Sequence, residues 1–172
     1  DAADDLHRLA LAAAVATADG ALAGALALTA AHVAQRVQFG RPLATFQAVA
    51  QQIADVAIVS RTLHLAAVAA AWQVRTPGSP GRDDVDVAAH WLASRAPGAI
   101  RTCHHLHGGL GLDVTYPLHR HSALLRDLVR MVGGAEHTLG RIRDAAQIMA
   151  RDPRHTPDPA EKDRGGDLCS PA

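Results

Sequence analysis

Two stretches of this sequence gather the residue types that bind ligands and move charge. In RVQFGRPLATFQ, residues 36–47, Arg36 stands three residues before the Phe39-Gly40 pair, Arg41-Pro42 turns the chain, and Phe46-Gln47 opens an apolar helical run. A guanidinium, an aromatic ring and an amide are thereby brought to one tight corner. In CHHLHGGLGLDVTYP, residues 103–117, His104, His105 and His107 run into glycines at 108, 109 and 111 and then into Tyr116-Pro117. Imidazole ligates metals, and His104 and His107 can share a helical face, but companion ligands do not stand at the spacing a closed metal site needs. The competing reading is that these histidines hydrogen-bond the last carbonyls of a helix. The glycines carry more information. Behind a helix they let the backbone pass close to something flat or bulky. Because they end a helix and do not open one, the dipole argument for phosphate binding does not apply to them directly.

The elements that must position these stretches are helical. A chain of 172 residues predicts a single domain. Aromatics make up only 3% of it, and alanine is abundant, so the core should consist of Ala, Leu, Val and Ile with helices approaching closely. Apolar residues recur at steps of three and four, and no alternating strand pattern appears. A first helix is predicted over residues 3–37, with Leu22, Leu26, Val33 and Val37 on one face. Gly20 and Gly24 either weaken it or admit a neighbour, and Gly40-Arg41-Pro42 ends it. A second helix, over 43–75, carries Phe46, Val49, Ile53, Val56, Val59 and Leu63. RTPGSPGRDD, residues 75–84, reads as a loop, with Asp83 or Asp84 as the N-cap of a third helix reaching Leu106. Pro97-Gly98 should kink or split that helix. A fourth follows Pro117 to Met131, Gly133-Gly134 breaks the chain, and a fifth carries Leu139, Ile142, Ala146 and Met149. From residue 152 onward, prolines and charges without periodicity predict a disordered tail. The expected fold is therefore all-α, an antiparallel up-and-down bundle of four to five helices over 1–151 followed by a disordered tail over 152–172.

Charge and cysteine content narrow the function classes. Seventeen basic residues balance 17 acidic ones, which predicts no strong attraction to nucleic acid or to an anionic membrane. Cys103 and Cys169 make a poor disulfide framework and suit a reducing cytoplasm. The apolar run Leu9 to Ala18 is interrupted by Asp19-Gly20, so no membrane span or secretory leader is expected. The chain starts at Asp1 and not at Met, so a processed chain or a piece of a longer protein is expected.

Taken jointly, Arg36-x-x-Phe39-Gly40-x-Pro42-Leu43-x-x-Phe46-Gln47, then about 60 residues, then His107-Gly108-Gly109-x-Gly111 and Tyr116-Pro117, resembles the C-terminal helical domain of the acyl-CoA dehydrogenase family. The resemblance covers roughly residues 3–150. HGGLGLDVTYPLHR is similar to versions in actinobacterial members acting on bulky acyl-CoA thioesters such as steroid side chains. The resemblance implies FAD at the corner between the first two helices, with Arg36 on its pyrophosphate, Phe39 packed against it and Gln47 near its adenosine end. It implies that the backbone at Gly108 and Gly109 approaches the FAD of a neighbouring subunit. The cofactor would lie across a subunit interface of a homo- or hetero-oligomer, a dimer of dimers, that passes electrons to a transfer acceptor.

The sequence departs from the family in three ways. Many members carry glutamine three residues before the first of the paired glycines, where this chain has His105, which donates one hydrogen bond but lacks the paired donor and acceptor of an amide. The glutamate that the family uses to remove the substrate α-proton falls in a slot occupied here by Val132 or Gly133, and the alternative slot in the first helix holds Ala10. Glu136 is better explained as an acid at a helix N-terminus, and Asp4 and Asp5 lie off register. The catalytic base is thus unassigned. The family's N-terminal helical domain and middle β-domain are not within these 172 residues. The leading expectation is the FAD-contacting, oligomer-forming end of a dehydrogenase that makes a trans-2-enoyl-CoA, in a version serving as the non-catalytic subunit of a heteromer. The alternative is a helical assembly module that has lost flavin chemistry, and a third is a histidine-based metal protein.

Overall fold

The computed structural model describes residues 2–76 and 84–151. The expected tail and the candidate cap Asp83 lie outside these residues. Five α-helices account for most of the described chain: α1 (Ala2–Gln35), α2 (Gln47–Arg75), α3 (Asp84–His107), α4 (Leu118–Met131) and α5 (Gly134–Arg151). The all-α antiparallel bundle is as expected. α1, α2 and α3 pack mutually, α4 lies against α1 and α5 against α3.

The core follows from composition. Val15, Leu22, Val56, Leu63, Val85, Leu92, Leu118 and Leu125 are sealed from solvent, and alanines at 18, 25, 70, 88, 89 and 96 fill the seams between them. Small side chains at those seams allow close helix approach. Gly24 does the same against α4, since a Cβ there would lie 2.5 Å from the ring of His121. Gly20 faces open space and has no such role. α1 and α2 are each long and apolar enough, by length and composition alone, to cross a bilayer, a test that the core helices of a bundle also pass.

Three boundaries differ from the sequence expectation. α1 ends at Gln35 and not at Val37, because the chain leaves the helix for a two-stranded ribbon of β1 (Val37–Gln38) and β2 (Arg41–Pro42). α2 starts at Gln47, after a 3₁₀ turn over Leu43–Thr45, and not at Leu43. α3 runs unbroken through Pro97. The proline forfeits one backbone hydrogen bond, but Ala93, Ala96 and Ile100 around it are buried on one continuous face, and that packing outweighs the loss. The start of α3 is also held from outside: the side-chain oxygen of Gln73, on α2, accepts the Val85 amide at 3.1 Å. A buried ion pair joins α3 to α5, where Arg141 donates to both carboxylate oxygens of Asp86 at 2.6 and 3.2 Å.

Candidate functional site

The corner between α1 and α2 is a hairpin built from residues 36–43. The last helical bond of α1 runs from the Arg36 amide to the His32 carbonyl at 2.8 Å, and the Arg36 carbonyl then accepts the Leu43 amide at 2.8 Å. Between them Val37 faces Pro42 and Gln38 faces Arg41, so Phe39 and Gly40 form a two-residue loop. Both are left-handed, with φ of +52° and +79°, as a hairpin turn of the I′ kind requires. Glycine takes that conformation freely, whereas a residue with a Cβ pays roughly 1–2 kcal/mol. Phe39 pays it while 91% exposed, so solvent burial of the ring within this chain cannot be the reason for the residue. Strain of this sort collects at functional sites.

Around the turn, Phe46 meets Phe39 edge to face with centroids 6.2 Å apart, and the Arg41 guanidinium lies 4.0 Å from the Phe46 ring centre. Arg36 is exposed, and its guanidinium makes no hydrogen bond among the described residues. Gln47, the first residue of α2, is likewise exposed. The three residues expected at the corner are therefore all exposed, and Arg41 stacks on Phe46 beside the exposed Phe39 ring.

The glycine stretch forms a second exposed edge. α3 ends at His107 and the chain continues as a 3₁₀ turn over Gly108–Leu112. Gly108 has φ of +58°, and neither it nor Gly109 has any atom within 4 Å of where a Cβ would stand. Their backbone is open to a flat ligand or a partner. Gly111 differs, because a Cβ there would meet the His104 carbonyl oxygen at 2.9 Å. His105 is exposed on the last turn of α3.

One contact that sequence reasoning did not find ties the two edges together. His107 is buried, donates through Nδ1 to the Cys103 carbonyl at 2.8 Å and accepts through Nε2 from the Tyr116 hydroxyl at 3.2 Å. The His32 ring, on α1, stacks over it at 4.6 Å between centroids and 19° between planes. Burial, then the nearby His107, then Arg36 hold the His32 pKa below its ordinary 6.5. A neutral His32 thus sits one turn from Arg36 and joins the hairpin to the glycine turn. Two further imidazoles serve the backbone: His104 donates to the Gly111 carbonyl and His119 to the Tyr116 carbonyl, at 2.8 and 2.7 Å. That matches the helix-end reading of the histidine cluster. Among the described residues no three His, Cys, Asp or Glu side chains converge.

The slots for a proton acceptor hold no carboxylate. Val132 is buried, Gly133 follows with φ of +88°, and Glu136 is exposed on the first turn of α5. Ala10 is on α1, where Asp4 and Asp5 occupy the exposed first turn.

Residues 5–148 match the family model described as acyl-CoA dehydrogenase, C-terminal domain. The chain belongs to the acyl-CoA dehydrogenase family. Acyl-CoA dehydrogenase FadE28 of Mycobacterium tuberculosis (strain ATCC 25618 / H37Rv) is 51% identical over 138 residues, which are 80% of this chain and 40% of that protein. Among solved structures, the Tcur3481-Tcur3483 steroid ACAD G363A variant is similar with a TM-score of 0.73 and 34% identity, over 83% of this chain and 39% of that one. The ChsE4-ChsE5 complex from Mycobacterium tuberculosis is similar with a TM-score of 0.68 and 33% identity, over 88% of this chain and 39% of that one. The chain thus spans about 40% of the length of the relatives it matches. It matches the family's C-terminal helical domain, and the corner and the glycine turn lie inside the matched region.

Proposed function

We propose that residues 1–151 form the FAD-contacting, assembly-forming domain of a cytoplasmic acyl-CoA dehydrogenase, and that this chain is the subunit without the proton acceptor in a heteromeric enzyme. The observation that carries the reading is the hairpin. It presents a strained, exposed Phe39 between two exposed arginines, beside a glycine turn whose backbone is open where side chains would stand. These groups fit a flavin dinucleotide. The guanidinium of Arg36 suits bidentate contact with pyrophosphate oxygens, the Phe39 ring offers an apolar face, and the Gln47 amide and His105 ring offer hydrogen bonds at the periphery. FAD, when bound, supplies the hydride acceptor for α,β-dehydrogenation of an acyl-CoA thioester.

This chain's residues bind and orient. Gly108 and Gly109 admit a neighbour's cofactor, and the stack of His32 on His107 fixes their position relative to Arg36. The α-proton goes to a carboxylate on a sister subunit, since Val132 and Gly133 cannot accept it. The similarity to a steroid dehydrogenase variant and to a two-protein complex supports a bulky acyl-CoA substrate and a heteromeric assembly, with electrons leaving to a separate transfer acceptor.

Co-expression of the intact parent protein with its candidate sister subunits tests this. Flavin content and reduction of an artificial electron acceptor should rise together only in the mixed assembly. Full turnover by the parent protein alone would refute the non-catalytic role, and an assembled oligomer without flavin absorbance would favour an assembly module that has lost the cofactor.

A further inference from the structure

His32 and Arg36 stand four residues apart at the end of α1, a spacing that makes side chains neighbours. The Arg36 amide bonds the His32 carbonyl at 2.8 Å. The two stacked imidazoles, His32 and His107, are not equivalent. His107 is buried, and both of its nitrogens are engaged, with the Cys103 carbonyl and the Tyr116 hydroxyl. His32 is only half-buried, and its ring makes no hydrogen bond to protein among the described residues. Of the pair, His32 is the ring with a nitrogen open to a proton from solvent.

The groups around His32 all resist that proton. His107 faces it from α3, Tyr116 closes the far side of His107 from the turn before α4, and Arg36 follows on α1 itself. On α4, His119 is committed to the Tyr116 carbonyl, and His121 lies against Gly24, two turns earlier on α1. The 3₁₀ turn Leu43–Thr45, which packs on α1, carries no titratable side chain. No carboxylate among the described residues acts on His32. The Arg36 guanidinium is therefore a cation without an internal counterion, one turn from an imidazole it keeps neutral. An anion seated on Arg36 would cancel that repulsion and attract the proton in its place. Linkage makes the effect mutual: whatever draws a proton onto His32 is held more tightly once the proton has arrived.

We propose that His32 is a proton-linked second cation behind Arg36, so that seating the dinucleotide pyrophosphate at the hairpin draws one proton from solvent onto the His32 ring. The inference rests on the flavin reading, which supplies the anion, and adds a positioning residue and a pH dependence to it. The pyrophosphate stays fully ionised near neutral pH, so the response belongs to the protein. Only one proton is taken up by the pair. A second, on His107, would set two cations face to face with ring centroids 4.6 Å apart. Flavin affinity accordingly rises as pH falls through the range in which imidazoles titrate. A second cation one turn behind the first, partly screened by water, strengthens the contact by about threefold.

The test titrates FAD into the flavin-free form of the intact parent protein, together with any sister subunit that co-purifies. A His105→Gln background removes the other imidazole expected beside the cofactor. The Kd should fall about threefold between about pH 7.5 and about pH 5.5. Calorimetry near the middle of that range, in two buffers of unlike ionisation enthalpy, should show net proton uptake on binding. His32→Phe keeps a ring to stack on His107 but holds no proton, so it should abolish both the uptake and the acid-side gain while flavin still binds at the higher pH. A second measurement does not depend on that variant folding: in flavin-free protein with labelled histidines, Arg36→Gln should move the His32 titration midpoint upward by nuclear magnetic resonance. Affinity that is flat or weakens toward acid, uptake that survives His32→Phe, or a midpoint unmoved by Arg36→Gln would each overturn the proposal and leave the flavin reading standing. An assembly that takes up no flavin at any pH would sink that reading, and the proposal with it.

Discussion

Replacing Phe39 by asparagine separates what the hairpin needs from what the ring is for. The backbone at this position has φ of +52°, which phenylalanine adopts at a cost and asparagine tolerates. Relief of that strain should give about 1 kcal/mol. The edge contact with Phe46, at 6.2 Å and open to solvent, is worth about 0.5 kcal/mol, and its loss offsets half of the gain. With the ring 91% exposed, little burial is forfeited. The apo form of the intact parent protein should therefore become more stable by about 0.5 kcal/mol in urea denaturation. Flavin affinity should move the other way. Loss of an aromatic face worth about 1.4 kcal/mol corresponds to about tenfold weaker binding, read by titrating the apo assembly with FAD. An asparagine variant that lost more than about 1 kcal/mol of stability and held flavin as tightly as before would show the ring to be a structural prop.

Three further outcomes follow from the same geometry. Arg141→Met should destabilise the protein by about 3 kcal/mol in chemical denaturation, because it leaves the buried Asp86 carboxylate without its bidentate partner. Gly111→Ala should cost about 1–3 kcal/mol and disturb the glycine turn, since its Cβ would press on the backbone oxygen of His104 and not on a movable side-chain tip. His32 has a folded-state pKa below the ordinary 6.5, so below that value the unfolded chain takes up a proton that the folded chain resists. Its stabilising contribution is present above pH 6.5 and lost as pH falls through the lower folded-state pKa. His32→Gln should accordingly flatten the decline of Tm with falling pH in this window, and an unchanged slope would rule the stack out as its source.

Much of the bundle was legible because proline and glycine punctuate it. Pro117 sits immediately before α4, Gly133 and Gly134 take positive φ between α4 and α5, and the apolar steps of α2 mark its buried Val56 and Leu63. The hairpin was missed because its turn is Phe-Gly, not the Asn-Gly that announces such a loop, and because Val37 continues the helical period of α1 by coincidence. The kink expected at Pro97 did not appear, since local preference yields to a buried face. At the candidate site, Arg36, Phe39, Gln47, His105, Gly108 and Gly109 were singled out through the motifs that carry the family resemblance. His32 was not, because its partner His107 is distant in sequence and only the folded bundle brings the two rings together.

The bond from Gln73 to the Val85 amide has a consequence for how this domain can be handled. The first turn of α3 draws a partner for one of its amides from a neighbouring helix, so a side-chain contact ties α2 to that end in addition to the chain that links them. A polypeptide cut between residues 76 and 84 would leave each fragment with its recognition element intact. Such halves, produced separately, should find one another and reassemble, which would make the junction a natural place to insert a reporter or to build a two-piece version of the subunit.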